Sequence, residues 1–285
     1  MTTLRHSVVV GVDGSADGDR ALDWAGAWAA AHGLPVRVLV ADPTILSGLP
    51  FWTAEEARDP EGTHGVMLDA CRRVESLGAE VTSQTVDASA VHALLDASRD
   101  ARIVVVGARG HGAVSGLLLG SVSQHVSRHA HCPVVVVREQ ADPRARRIVV
   151  GVDASPGSER AIGFAFDTAS ATKAPLVAIQ GWHDVIGGRH GGLAESPIGS
   201  VAERIAACER AISEAVAGWA EKYPEVSLAR EAVPVPPARL LADASQRAAL
   251  VVVGSRGRGG FTGLLLGSTS QALLHHAQCP VAVVR

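Results

Sequence analysis

The sequence predicts an α/β protein built as two tandem, doubly wound, parallel five-stranded sheets with helices on both faces. Three observations carry that prediction. The segment VVVGVDGS at 8–15 returns as IVVGVDAS at 148–155, and IVVVGARGHGAVSGLLLGSVSQ at 103–124 returns as LVVVGSRGRGGFTGLLLGSTSQ at 250–271. AHCPVVVVR at 130–138 pairs with AQCPVAVVR at 277–285, so each copy closes on a strand that begins just after Cys-Pro. Within each copy, short Val/Ile runs alternate with longer stretches of helical period, the pattern of a parallel sheet wrapped by helices.

The repeat is too long for a solenoid unit, whose periods are about 20–50 residues. It marks two whole domains, 1–138 and 147–285, joined by the polar linker EQADPRAR at 139–146. Matching segments lie 140 residues apart at the first strand and 147 apart at the glycine-rich segment, so the second copy gained residues in its middle.

Taken in order, the first copy has strands near 7–12, 36–41, 80–86, 103–107 and 133–137, linked by helices near 15–32, 63–78, 88–100 and 120–131. The second has strands near 147–152, 175–181, 226–232, 250–254 and 280–284, and its longest helix near 199–222. Most of the strands are nearly unbroken apolar, as VVVG and IVVVG illustrate, which suits a sheet covered on both faces. In such sheets the ligand sits outside the carboxyl ends of the strands, where the strand order reverses. The turns after the first and fourth strands of each copy are therefore where a site belongs.

Composition narrows the classes of function. Of 285 residues, 47% are hydrophobic and 19% charged, inside the globular range. A net charge of −3 gives no general basic field, which disfavours sequence-independent nucleic-acid binding. Cys71, Cys132, Cys208 and Cys279 are scattered singly and read as small buried hydrophobes of a reducing compartment. The opening MTTLRHSVVVGVDGS holds no apolar core of signal-peptide length, and no stretch approaches a membrane span, so a cytoplasmic location without membrane insertion is expected.

After the fourth strand comes Gly107-Ala108-Arg109-Gly110-His111-Gly112-Ala113, then an apolar run, then Gly120-Ser121-Val122 opening a helix. The second copy has Gly254-Ser255-Arg256-Gly257-Arg258-Gly259-Gly260, then Gly267-Ser268-Thr269-Ser270. Both fit G-x2-G-x9-G-S. Glycines let a backbone approach a ligand closely, and helix N-terminal amides with their dipole favour an anion, so a polyphosphate suits the loop. Ser121 and Ser268 are expected to cap their helices and donate to phosphate, with Arg109 and Arg256 supplying charge. For a single loop, a plain βα turn with a serine cap is an equal alternative, but recurrence of the same four positions argues against it. The loop is not a Walker A motif, since GLLLGS lacks the lysine, and GxGxxG fails at Ser115.

Asp13 and Asp153 stand at the carboxyl ends of the first strands, with Gly11 and Gly151 just before them. Such a carboxylate can accept ribose hydroxyls or hold a metal-bound water, while Ser15 and Ser155 are the better cap candidates. GVDGS at the start, G-x2-G-x9-G-S in the middle and HCPVVVV at the end resemble the universal stress protein family, over nearly the whole chain and twice. The glycine pattern is that of the family's ATP-binding branch. The resemblance implies one ATP site lined by Gly11, Asp13, loop 107–113 and Ser121-Val122, and another by Gly151, Asp153, loop 254–260 and Ser268–Ser270, with Asp184 reaching the adenosine end. It also implies that strands 134–137 and 281–284 pack together. Mg²⁺ bridging the ATP phosphates and a homodimer of such chains are further expectations, not implied by the resemblance.

The resulting expectation is a nucleotide-responsive stress-resistance module with two ATP sites. The alternatives are a slow ATPase or nucleotide-transferring enzyme, and a nucleotide-free scaffold. Against efficient catalysis, each site offers one aspartate but no clear general base or repeated catalytic lysine. His125 and His129 share a helix face, yet the second copy has Ala272 and His276 there, so no metal site is expected. The Leu runs 117–119 and 264–266 read as packing plugs, and Trp24, Trp28, Trp52, Trp182 and Trp219 as core or loop anchors.

Overall fold

Valine-rich runs become strands and the capped segments between them become helices, in the alternation expected. The first repeat lays down β1 (Val8–Val12), α1 (Ala16–His32), β2 (Val36–Ala41), α2 (Pro60–Ser76), β3 (Val81–Val86), α3 (Ala90–Ala97), β4 (Ile103–Gly107), α4 (Ser121–His129) and β5 (Val134–Val137). The second gives β6 (Ile148–Gly151), α5 (Pro156–Thr172), β7 (Leu176–Gly181), α6 (Val201–Lys222), β8 (Leu228–Val233), α7 (Pro237–Ser245), β9 (Leu250–Gly254), α8 (Ser268–His276) and β10 (Val281–Val284). This computed structural model describes residues 6–41, 60–86, 88–110, 119–182, 201–258 and 265–285.

The chain divides into two compact units: Met1–Glu139 with Pro280–Val283, and Gln140–Cys279 with Val284–Arg285. In the first, the strand order β3-β2-β1-β4-β5 is parallel throughout. There β10 runs antiparallel to β5, with Val281 opposite Val136 and Val283 opposite Val134. This covers the backbone edge of a pure-valine strand that would otherwise template aggregation. In the second unit β8, β7, β6 and β9 are parallel neighbours in that order.

Burial explains which strands are apolar. Val8, Val9, Val10, Val104 and Val105 are fully buried, as are Val149, Val150, Val251 and Val252, because helices cover both faces. The terminal strands β3 and β8 differ. Thr82-Ser83-Gln84-Thr85 and Ala229-Arg230-Glu231 are exposed, a polar composition that blunts a sheet edge.

The long helices begin where the serines predict. The Ser15 and Ser155 side chains accept from Gly18 N and Ser158 N, both at 3.1 Å. α1 and α5 end in left-handed residues, Gly33 (φ 63°) and Lys173 (φ 55°). Arg73 ties α2 to α1 by donating to Asp23 at 2.7 Å and lying 3.3 Å from Asp19. The Asp23 hydrogen bond pushes the pKa of its guanidinium upward. Trp28 is buried and stacks with Trp24, while half-buried Trp219 stacks with Tyr223; Trp52 lies outside the described residues.

Two expectations need correction. Cys132 and Cys279 are buried, but Cys71 and Cys208 are only half-buried, on helices α2 and α6. Burial holds the Cys208 thiol above the ordinary cysteine range, against the opposing pull of Arg204 and Arg258. Leu119 and Leu266 are buried plugs, whereas Leu265 is 46% exposed; Leu117, Leu118 and Leu264 lie outside the described residues. No helix among the described residues is long and apolar enough to cross a membrane.

Candidate functional site

Strand order reverses between β1 and β4 in the first unit and between β6 and β9 in the second. A cleft of about 380 Å³ opens at the carboxyl end of the first pair and one of about 410 Å³ at the second. Both volumes lie in the range of small-molecule sites, at the position where this architecture binds ligands.

The first cleft brings together Gly11, Asp13, Gly107, Arg109, Gly110, Gly120, Ser121 and Val122. The second gathers Gly151, Asp153, Gly254, Arg256, Gly257, Arg258, Gly267, Ser268, Thr269 and Ser270. Ala108 and Ser255 were expected beside them but turn inward. They are 2% and 6% exposed, and their amides donate to Val137 O and Val284 O at 2.7 Å. His111, Gly112, Ala113, Asp184, Gly259 and Gly260 lie outside the described residues.

Each aspartate is fixed by a local turn. Asp13 Oδ1 accepts from Ser15 N at 3.0 Å, and Asp153 Oδ1 from Ser155 N at 3.0 Å, an Asx turn through Gly14 (φ 79°) or Ala154 (φ 55°). In the second cleft Asp153 Oδ2 also accepts from Arg258 N at 3.2 Å. A Cβ on Gly110 would collide with Asp13 Oδ2, and one on Gly257 with Asp153 Oδ2. Those glycines therefore let a carboxylate lie against the loop. Neither has a positive φ, so close approach, not backbone freedom, is what they provide.

A buried serine welds the loop to the helix that follows. Ser123 Oγ donates to Gly107 O at 2.6 Å, and Ser270 Oγ to Gly254 O at 2.7 Å. Gly120 N and Gly267 N donate to Ala108 O and Ser255 O at 2.7 Å. Ser270 was expected in the lining and is found there, with its hydroxyl holding the loop carbonyl. Ser123, its counterpart, carried no expectation, although its signal was present in the shared S-x-S after Gly-120 and Gly-267. Ser123→Ala and Ser270→Ala are each expected to cost about 1–3 kcal/mol, since the Gly107 or Gly254 carbonyl loses its buried hydroxyl donor, read as a lower urea midpoint.

The expected caps also shift by one residue. Gly120 and Gly267 are the N-caps of α4 and α8, with no side-chain cap hydrogen bond, so Ser121 and Ser268 occupy the first helical position instead. Glycine at the cap leaves the first-turn amides without a side-chain acceptor. They and the helix dipole face the cleft, an arrangement that suits an anion.

Arg109 lines the cleft with its side chain about half exposed, and it is also tied to a buried acid. Its Nε lies 3.2 Å from Asp17 Oδ2, and its backbone amide donates to the same oxygen at 3.2 Å. Apolar walls complete the clefts: Leu39, Ala41 and Leu94 in the first, and Ile179, Pro237 and Leu241 in the second. Sequence reading missed these, because an apolar residue at a strand end or on a helix reads as core.

A magnesium ion carried on a polyphosphate fits this chemistry, since it needs one or two carboxylates plus phosphate oxygens, and each cleft lining holds one aspartate. Among the described residues no group of three or more His, Cys, Asp or Glu side chains could hold a metal unaided. His125 Nδ1 is 2.9 Å from Ser121 O, a helix-internal contact.

Comparison with known proteins agrees with the duplication. The profile of the Universal stress protein family matches residues 5–138 and again 144–285. Universal stress protein Rv2005c of Mycobacterium tuberculosis is 39% identical over 299 aligned positions, covering 99% of this chain and 97% of its own. Universal stress protein Rv2623 of the same organism is 38% identical, covering 98% and 96%. A crystal structure of a universal stress protein from Archaeoglobus fulgidus superposes with a TM-score of 0.69 at 22% identity, covering 100% of this chain and 99% of that one, a likeness of fold. The chain therefore belongs to the universal stress protein family, whose domain it carries twice in tandem.

Proposed function

We propose that each unit binds one ATP, with Mg²⁺ on its phosphates, and that the chain works as a nucleotide-responsive regulatory module. The observation that carries this is the recurrence, in both units, of one constellation: an Asx-turn aspartate, a glycine loop lying against it, and a helix N-terminus without a side-chain cap. The phosphates would meet the amides of α4 or α8, Asp13 or Asp153 would take ribose hydroxyls or a metal-bound water, and the base would lie against Leu94 or Leu241. Binding is favoured over turnover because Asp13 and Asp153 are the only acids that line the clefts among the described residues, and no lysine lines either.

The test is mass spectrometry of small molecules released on denaturing freshly purified protein, backed by titration calorimetry. About two equivalents of ATP per chain are expected, one per cleft. No released nucleotide and no heat on adding ATP with Mg²⁺ would leave a nucleotide-free scaffold.

A further inference from the structure

The two clefts share a backbone but not a charge. In the first, Asp17 is a buried carboxylate, its side chain 5% exposed, at the start of α1. Its Oδ2 accepts from the amide and the Nε of Arg109, both at 3.2 Å, and its Oδ1 from Arg20 Nη1 at 2.6 Å. A buried carboxylate is costly to leave half-paired, so Arg109 is held where it is. In the second repeat the residue aligned with Asp17 is Gly157. Arg256, aligned with Arg109, and Arg258 line that cleft with no carboxylate partner among the described residues.

In the first cleft the one lining guanidinium, Arg109, is already paired with Asp17, which lies behind the lining and also takes Arg20, whereas in the second Arg256 and Arg258 share the lining with Asp153 alone. The backbone enforces the difference. A Cβ at Gly157 would lie 2.6 Å from Arg256 O, so no aspartate fits there without moving the loop. Coulombic interaction scales with ligand charge, so a lining whose one guanidinium is already offset by Asp17 gains little from a triphosphate over a monophosphate, and two guanidinium groups without a carboxylate partner gain more.

Resting on the nucleotide reading above, we propose that the clefts are unequal phosphate sites. The second selects the triphosphate end of a nucleotide, while the first discriminates little between triphosphate and monophosphate, and Asp17 is the residue that sets this. The chain then holds one site that follows ATP and one that follows the adenine nucleotide pool.

Titration calorimetry of the full chain with ATP and with AMP tests this, using Gly257→Ala to silence the second cleft and Gly110→Ala to silence the first. The Gly110→Ala protein is expected to prefer ATP over AMP by about tenfold or more, and the Gly257→Ala protein by less than about threefold. Asp17→Asn, added to Gly257→Ala, removes the charge while keeping the side-chain shape. It should tighten ATP about tenfold and leave AMP within about threefold. A merely structural Asp17 would shift both nucleotides alike, and that result overturns the proposal, as do equal ATP-to-AMP ratios in the two glycine variants.

In the otherwise unaltered chain, Asp17→Asn must tighten only the weaker ATP site, which keeps the test open if a glycine variant does not fold. If the unaltered chain binds neither ATP nor AMP, the nucleotide reading falls and the asymmetry with it. If it binds both with one common preference, only the asymmetry falls.

Discussion

Gly107→Ala is expected to destabilise the first unit by about 3 kcal/mol, and Gly254→Ala the second by a similar amount. A Cβ at Gly107 would stand 2.6 Å from the backbone C of Asp17, 2.7 Å from its O and 2.9 Å from Gly18 N. At Gly254 the corresponding contacts are Gly157 C at 2.7 Å, Gly157 O at 2.9 Å and Ser158 N at 3.1 Å. These are backbone atoms of a helical first turn pinned by its serine cap, so no rotamer change relieves the clash. Relief requires the helix to slide from the strand it covers. Gly218, inside α6 with open space at its Cβ, is the control: Gly218→Ala should stabilise by about 1 kcal/mol through helix propensity alone. Urea unfolding followed by tryptophan fluorescence reports on both units, through Trp24 and Trp28 in the first and Trp182 and Trp219 in the second. A Gly107→Ala chain as stable as the parent would mean that α1 does not rest on β4 as described.

Those glycines mark the limit of what the sequence disclosed. Strand positions were legible to within two residues, because consecutive valines have few alternatives once both faces are covered. The spacing of the glycines identified the loops, and the capping serines identified the starts of α1 and α5. The purpose of each glycine was not legible: Gly107 and Gly254 make room for a helix, Gly110 and Gly257 for a carboxylate. Nor was Arg109, because its partner Asp17 is 92 residues away and reads locally as an ordinary acid in a helix first turn. α3 was expected to reach residue 100 but ends at Ala97, where the Ser98 hydroxyl donates to Leu95 O at 2.6 Å and accepts from His131 N at 2.9 Å. Ala108 and Ser255 were counted with their loops because sequence adjacency cannot tell which residue of a turn faces outward. Asp184 and the segment after Asp42, where the repeats do not align, lie outside the described residues.

Gly110→Ala and Gly257→Ala should behave in the opposite way from the strand glycines. Each should remove one of the two ATP equivalents, weakening binding in its own cleft at least about tenfold, while the melting temperature stays within about 2 °C of the parent. The clash here is with a side-chain oxygen, Oδ2 of Asp13 or Asp153, and Asp13 is exposed. The carboxylate can therefore swing into water at little cost to the fold. It then leaves the position from which it would meet the ligand, and in the second cleft it also gives up Arg258 N, loosening the loop proposed to hold the phosphates. Calorimetry and melting measured on the same samples separate binding from folding. ATP retained at two equivalents by the double variant would make both loops purely structural. Lost binding with an unchanged melt would identify Gly110 and Gly257 as parts of the site, in contrast to Gly107 and Gly254, whose replacement removes binding only by removing the fold.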